Sequence, residues 1–216
     1  MSRMSRTTTV LLSKGIALLL IGLPLFWNSS AHASKKSRLP EVVVMRPTDL
    51  PPAAQVPGQA MYLRALNFSR YLYVEQDNGR RLAIFDVSRP ARIKTIAEIE
   101  LNAPRFDFLQ AVNSDLVLVG IRDLHGSIKL GVLDLQHPKK PVLHVLGDAE
   151  FGLLPRERSA HVLAPEPGVE IRDIQQEISD KELGSCFVLS ADGLWIIRHP
   201  AIEKTFEEKE FESYAG

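Results

Sequence analysis

The sequence contains a single cysteine, Cys186, so the chain can form no internal disulfide and no zinc site with a pair of cysteine ligands. Its stability must therefore come from an apolar core. Cys186 lies in the apolar run 185–189, which is typical of a strand. We interpret it as a small buried hydrophobic residue rather than a nucleophile.

Motifs of several common catalytic and ligand-binding sites are also absent. The sequence has no Gly-x-Ser-x-Gly nucleophile motif, no His-Glu-x-x-His zinc motif, no glycine-rich phosphate loop and no acidic EF-hand loop. Its 26 basic residues balance its 26 acidic residues, so no net positive field attracts nucleic acid. The sequence therefore predicts no catalytic residue, no cofactor, no metal site and no nucleic-acid partner.

The N-terminus has the three parts of a secretory signal peptide. Residues 1–14 carry three basic residues and no acidic one, residues 15–27 are apolar, and the small-x-small tripeptide Ala31-His32-Ala33 follows. This apolar run is shorter than the roughly 20 residues that span a bilayer. We therefore predict a signal peptide over 1–33, cleavage after Ala33, and a periplasmic or secreted protein. The alternative is an uncleaved membrane anchor. In that case the chain would contact a membrane only through this N-terminal segment.

A proline-rich segment follows the signal peptide. Residues 34–58 contain five prolines, and Glu41–Met45 is the strand candidate among them. Repeated prolines interrupt helices and sheet hydrogen bonding alike. We therefore predict a linker with one strand over 34–58, extended from Pro47 to Gly58.

From residue 59 onward, short β-rich runs alternate with turns. One unit contains a β run, a turn, a second run, a proline and a third run, at 70–74, 77–79, 82–87, Pro90 and 93–101. The same order returns at 115–119, 125–127, 130–135, Pro138 and 142–146. Asp86 and Asp134 occupy the same place in the two units, 48 residues apart. An aspartate there is expected to bond backbone amides in the turn before the proline.

A third, weaker unit runs from Cys186 to Pro200 and lacks the aspartate. Pro200 follows Pro138 by 62 residues, whereas Pro138 follows Pro90 by 48. We attribute the extra residues to an insertion over 148–170. Repeats of 40–50 residues with about four short strands are typical of propeller blades. We therefore predict an all-β domain over 59–216, a partial or small β-propeller built from about three four-stranded antiparallel blades.

The number of units indicates whether the propeller can close into a ring. A closed propeller needs at least four blades, and three units are visible. The ring is therefore expected to be incomplete, open or completed by another chain. An open sheet edge invites strand pairing with a partner, including a second copy of the same chain.

Two segments resemble the core of the LVIVD repeat, in which a strand ending in aspartate leads through a short turn to proline. They are Leu82-Ala83-Ile84-Phe85-Asp86-Val87-Ser88-Arg89-Pro90 and Leu130-Gly131-Val132-Leu133-Asp134-Leu135-Gln136-His137-Pro138. The resemblance covers residues 63–148 well and 183–212 poorly. It implies a β-propeller fold in an exported or surface protein. The family supplies no catalytic residues to carry over.

The insertion is the strongest functional lead in the sequence. In a propeller, the loops joining second and third strands share a face with the links between blades, so the insertion would lie on that face. Long loops on rigid scaffolds often bind. The polar residues of the insertion that we consider candidates for contact with a protein or glycan are Arg156, Glu157, Arg158, His161 and Glu166. The alternative is that the insertion is only a spacer.

The sequence thus predicts an exported, non-enzymatic β-propeller-like module for binding or assembly. One alternative is an extracytoplasmic glycan-active hydrolase or lyase, with paired carboxylates on the insertion face. A second alternative is an inactive fragment of a longer propeller.

Overall fold

The computed structural model describes residues 41–101, 103, 105–122, 127–148 and 171–215. All of them belong to one compact unit, Arg38–Gly216. The predicted signal peptide and nearly all of the predicted insertion lie outside the described residues. The described chain forms three four-stranded antiparallel sheets and one C-terminal helix. The predicted all-β, partial propeller-like fold of three four-stranded units is therefore confirmed.

The first sheet is a meander whose strands pair in chain order. Its strands are β2 (Gly58–Leu66), β3 (Ser69–Gln76), β4 (Arg81–Asp86) and β5 (Lys94–Glu100). Tyr73 of β3 pairs with Tyr62 of β2 on one side and with Ile84 of β4 on the other. The tight turn predicted after β3 is present, and Asp77, Asn78 and Gly79 all have the positive φ that such turns need.

The second sheet repeats the same meander. Its strands are β6 (Phe106–Ala111), β7 (Leu116–Arg122), β8 (Ile128–Asp134) and β9 (Val142–Asp148). Val119 of β7 pairs with Phe108 of β6 and with Gly131 of β8. Strand β9 is the outermost strand of this sheet.

The third sheet combines the two ends of the described chain. It contains β10 (Gln176–Asp180), β11 (Ser185–Ser190) and β12 (Gly193–Arg198), and its fourth strand is β1 (Val43–Met45). Val44 of β1 pairs with Ile197 of β12. The strand expected within the proline-rich segment thus completes the last sheet, far from it in sequence.

The first sheet buries both of its faces. One face packs against the third sheet in a cluster that includes Leu72, Phe85 and Phe187. The other packs against the second sheet in a cluster that includes Tyr73 and Phe106. Since β-strand side chains alternate between faces, neighbouring residues of β3 serve different clusters. The first sheet therefore lies between the other two.

The proline-rich segment is folded rather than extended between Pro47 and Gly58. It forms two 3-10 helices, Pro47–Asp49 and Pro52–Gln55, and it buries Leu50, Ala53 and Ala54. Proline suits the first position of a helix, where the missing N–H has no partner to lose. The segment consequently contributes to the core between the first and third sheets.

After β12 the chain turns into α1 (Pro200–Ala215) instead of a fourth strand. The His199 carbonyl accepts hydrogen bonds from the N–H groups of Ile202 and Glu203. Phe206 is buried and packs edge-on against Phe68, with ring centroids 5.7 Å apart. Within the residues that the structure describes, no helix has the length and apolar character needed to cross a bilayer.

The three sheets share a local pattern that confirms the repeat. In each, an N–H just after the third strand donates to a carbonyl at or just before the second strand: Val87 to Arg70, Leu135 to Asp115 and His199 to Gly184. The side chains of Asp86 and Asp134 accept bonds from the N–H groups of Ser88 and Gln136, at 3.0 and 2.8 Å. The structural role predicted for these aspartates is therefore confirmed.

Candidate functional site

The predicted binding-face residues of the insertion, Arg156, Glu157, Arg158, His161 and Glu166, lie outside the described residues. Two turns of the same predicted face are described. The turn between β3 and β4 stands at the end of the first sheet, and the turn at Asp192-Gly193 joins β11 and β12. These two turns differ in how closely other parts of the chain pack against them.

The β11–β12 turn is packed against the proline-rich segment. A Cβ on Gly193 would lie 2.6 Å from the Ala54 carbonyl oxygen, and the φ of Gly193 is +116°. Only glycine satisfies both conditions. This turn therefore holds the segment in place and is a poor candidate for contact with a partner.

Beneath the β3–β4 turn lies a group of four polar side chains, Gln59, Glu75, Arg105 and Asp107, which we call the Glu75 cluster. Gln59 and Glu75 come from the start of β2 and the end of β3, and Arg105 and Asp107, around the start of β6, act on Glu75 through their charges. The Glu75 side chain is fully buried, with 0% exposure. Gln59 and Asp107 reach the surface in part.

Several buried atoms of this cluster have no hydrogen-bond partner within the described part of the chain. They are both carboxylate oxygens of Glu75, Oε1 of Gln59, Oδ1 of Asp107 and Nε of Arg105. The second polar atom of the Gln59 side chain and that of Asp107 each have a partner. Gln59 Nε2 donates to Asn78 Oδ1 at 2.9 Å, and Asp107 Oδ2 lies 4.0 Å from Arg122 Nη2. An unpaired buried polar atom costs about 1–3 kcal/mol, so such a group needs an explanation.

The electrostatics of the cluster favour a protonated Glu75. Burial raises the pKa of Glu75 to about 7. The backbone amides of Gly79 and Gln59 and the charge of Arg105 lower this pKa, whereas Asp107 raises it further. Those amides lie near the carboxylate without reaching hydrogen-bond geometry. Desolvation therefore dominates over the nearby positive charge.

We expect this carboxyl group to make stability depend on pH. Unfolded Glu75 ionises near its ordinary 4.5 and folded Glu75 near 7. Between these values the folded state holds more protons, so the free energy of unfolding falls as pH rises through this window and levels off above it. The fall is on the order of 3 kcal/mol. Urea titrations from pH 4 to 8.5 should show it in the wild type and not in Glu75→Gln.

Glu98→Gln is the matched control for that titration. Glu98 lies on β5 with its carboxylate exposed and pairs with Arg81 at 2.9 Å. This variant should keep the wild-type slope. An equal slope in Glu75→Gln and the wild type would show that Glu75 is not the titrating group.

Two buried arginines link the sheets. Arg64 of β2 donates to the carbonyl oxygens of Ser114 and Leu135 of the second unit, at 2.7 and 2.6 Å, and pairs with Asp115. Arg70 of β3 reaches the third sheet, where it pairs with Asp180. Because their N–H groups are occupied by the protein itself, both arginines are structural.

The far surface of the second sheet carries both apolar and polar side chains, among them Asp134 and His144. Leu118 and Val132 pair across β7 and β8 on the face turned away from the first sheet, and both are partly exposed. Leu109 covers Gly120 on this face and is 42% exposed. On the edge strand β9, Val145 and Leu146 are 60% and 63% exposed, and Val145, paired with Gly131, lies on the face turned toward the first sheet. Such a surface on a sheet edge is typical of protein contact.

The described residues offer little to catalysis. Cys186 is buried, its thiol donates to Glu177 at 3.2 Å, and burial raises the pKa of Cys186 to about 12. The thiol is therefore protonated and unreactive, as its sequence context indicates. No group of three His, Cys, Asp or Glu side chains among the described residues is placed to hold a metal ion.

The C-terminal glutamates, which could suggest a glycosidase pair, lie on α1, and three of them make ion pairs. Glu203 pairs with Arg198 at 2.9 Å, Glu207 with Arg89 at 3.8 Å and Glu208 with Lys204 at 3.9 Å. Ion pairing accounts for the positions of these three carboxylates. They do not converge as the acid and base of a glycosidase.

None of the residues of the Glu75 cluster was predicted from the sequence as a site residue. Its signal was present in β3, where Tyr71, Tyr73 and Glu75 alternate onto one face of the strand. A charged residue on an otherwise aromatic face is unusual for a buried strand.

Comparison of the chain with protein-family models, with curated proteins and with solved structures gave no match.

Proposed function

We propose that this chain is an exported, non-enzymatic β-propeller-like module of the LVIVD-repeat type that serves binding or assembly. The predicted signal peptide over 1–33 supports export to the periplasm or out of the cell. The observation that carries the assembly role is the pair of exposed apolar side chains, Val145 and Leu146, on the edge strand β9 of the second sheet.

The position of that edge strand supports assembly. The first sheet has a sheet packed on each of its faces, whereas among the described residues the second sheet has a sheet packed on one face only. An outermost strand also has unpaired N–H and C=O groups along its free edge. Strand β9 has four apolar residues and one charged residue, Asp148, whereas edge strands commonly block pairing with charges. A second copy of the chain is the partner we propose for this edge.

Light scattering on the purified chain without residues 1–33 tests this proposal. We expect a discrete dimer, because pairing of β9 with the β9 of a second copy occupies that edge in both copies. In the double variant Val145→Lys/Leu146→Lys, charges at the edge should give a monomer with unchanged far-ultraviolet circular dichroism.

Val112→Lys is the matched control. Val112 is 59% exposed, similar to Val145, but lies in the turn after β6 and away from the β9 edge. This variant should remain dimeric. A wild-type chain that is monomeric across the micromolar range would refute assembly through β9.

Two alternatives from the sequence keep their own tests. A glycan-active hydrolase or lyase would use carboxylates of the insertion, with Glu157 and Glu166 as the candidates. Turnover on a glycan panel that is lost in Glu157→Gln/Glu166→Gln would support that enzyme. An inactive propeller fragment would show neither turnover nor a discrete oligomer.

A further inference from the structure

We propose that the chain binds an acidic polysaccharide through four exposed basic side chains, Arg92, Lys94, Lys139 and Lys140, which we call the basic end. These residues belong to the turns that follow the third strand in the first and second sheets. The proposal does not require that copies of the chain pair through β9.

The two turns are equivalent parts of the repeat. Arg92 follows Pro90 by two residues, and Lys140 follows Pro138 by two. The N–H of Arg92 donates to the carbonyl oxygen of Arg89, and the N–H of Lys140 donates to that of His137, each at 2.8 Å. Both turns are therefore fixed by the same local hydrogen bond, and each presents its basic side chains to solvent.

The contacts of Arg64 place the two turns at the same end of the molecule. Within the first sheet, Arg64 pairs with Tyr71, and Tyr71 pairs with Asp86. Asp86 pairs in turn with Lys94, so this row of residues crosses three strand spacings, roughly 14 Å. Toward the second sheet, Arg64 Nη1 donates to the carbonyl oxygen of Leu135, which directly follows β8 and leads into the second turn.

The positive charge of the basic end is not compensated within the described part of the chain. No hydrogen bond or ion pair there engages the four basic side chains. The acidic side chains closest along these strands already have partners. Asp86 and Asp134 accept bonds from turn amides, and Asp115 pairs with Arg64. The surface is therefore locally positive, although acidic and basic residues balance in the whole chain.

Helix α1 limits the basic end on the side of the third sheet. Glu207 of α1 lies 3.8 Å from Arg89, in the first of the two turns. The acidic residues of α1 would repel a polyanion. The binding surface consequently belongs to the first and second sheets.

The residues between the charges indicate the class of polyanion. The other exposed polar side chains of the two turns include Thr95, Gln136 and His137, which can hydrogen bond to sugar hydroxyls. Residues 88–95 and 136–142 contain no aromatic side chain on which a nucleobase could stack. Their one exposed large apolar side chain is Val142, which is too little for insertion into a bilayer. Carboxylate or sulfate groups along a polysaccharide match exposed arginine and lysine.

Calorimetric titration of the chain without residues 1–33 tests the basic end, with alginate and heparin as acidic probes and dextran as the neutral one. We expect saturable binding of alginate or heparin in 50 mM salt and none of dextran. In 0.3 M salt the binding should be about tenfold weaker, because salt screens exposed charges.

Arg92→Ala/Lys94→Ala and Lys139→Ala/Lys140→Ala should each weaken that binding about tenfold or more. A basic residue beside an anionic surface contributes about fivefold to affinity, and each variant removes two. Exposed turn positions tolerate alanine, so both variants should keep the wild-type urea midpoint.

Arg80→Ala/Lys209→Ala is the matched control, since it removes the same charge elsewhere. Arg80 follows the β3–β4 turn at the opposite end of the first sheet, and Lys209 lies on α1; both are exposed. This variant should bind like the wild type.

Three results would overturn the proposal. One is that neither alginate nor heparin saturates the chain. Another is an equal loss in the control and in the two turn variants, which would indicate general attraction by charge. The third is tighter binding of phosphatidylglycerol vesicles or of a single-stranded oligonucleotide, which would assign the surface to a membrane or to nucleic acid.

Discussion

Replacement of Arg70 by alanine should destabilise the fold by about 3–5 kcal/mol, the usual cost of breaking a buried ion pair from one side. The Arg70 side chain is 3% exposed, and it donates to Asp180 and Glu182, each at 2.7 Å. Its guanidinium also lies 5.1 Å from the ring centroid of Phe206 on α1. The variant would leave the Asp180 carboxylate, 9% exposed, without its charged partner.

Urea unfolding at pH 7 measures this effect, with Arg81→Ala as the control. Arg81 also pairs with two carboxylates, those of Asp77 and Glu98, but its side chain is 31% exposed. Exposed pairs contribute about 1 kcal/mol or less, so Arg81→Ala should unfold close to the wild type. Equal losses in the two variants would show that the burial of Arg70 does not set its contribution.

Replacement of Val43–Met45 by Gly-Ser-Gly should cost about 4 kcal/mol. These residues form β1, the fourth strand of the third sheet, and all three are half-buried. The change removes three apolar side chains, each worth roughly 1 kcal/mol at half burial, and places glycine in a strand. It also uncovers the edge of β12, so the loss should be concentrated in the third sheet.

Trp195 reports on that sheet directly. It lies in β12, is 9% exposed and donates from Nε1 to Ser190 Oγ at 3.0 Å. In a chain without residues 1–33 it is the sole tryptophan, so its fluorescence during urea unfolding follows the third sheet. The conservative triple variant Val43→Ile/Val44→Ile/Met45→Leu should unfold within about 1 kcal/mol of the wild type. A wild-type midpoint in the Gly-Ser-Gly variant would refute the role of β1.

The repeat was predictable because its signals are local. Apolar runs of strand length, the turn at Asp77–Gly79 and the aspartates before the prolines act within a few residues of themselves. The segments around Phe85, Leu133 and Ile196 accordingly occupy β4, β8 and β12, the third strand of each meander. The number of sheets follows from counting these units.

The contacts between units were not predictable, because they join residues that are distant in sequence. Arg70 meets Asp180 across 110 positions, and the N-terminal strand meets β12. Helix α1 was ambiguous because its middle part, residues 203–212, is mostly charged, and its position depends on the burial of Phe206 beside Phe68. The Glu75 cluster arises only where β2, β3 and β6 come together, so no single segment contains it.

The pairing of β1 with β12 determines when the chain can finish folding during its synthesis. Val43 and its partner Arg198 are 155 positions apart. At translation rates of about 5–20 residues per second, β1 waits on the order of 10–30 s for its partner. During that interval the segment Val42-Val43-Val44-Met45 has no sheet to join, and its apolar side chains face solvent or a chaperone. The first two sheets are built from neighbouring hairpins and can form early, so the nascent protein assembles from its middle outward and its N-terminal strand docks last.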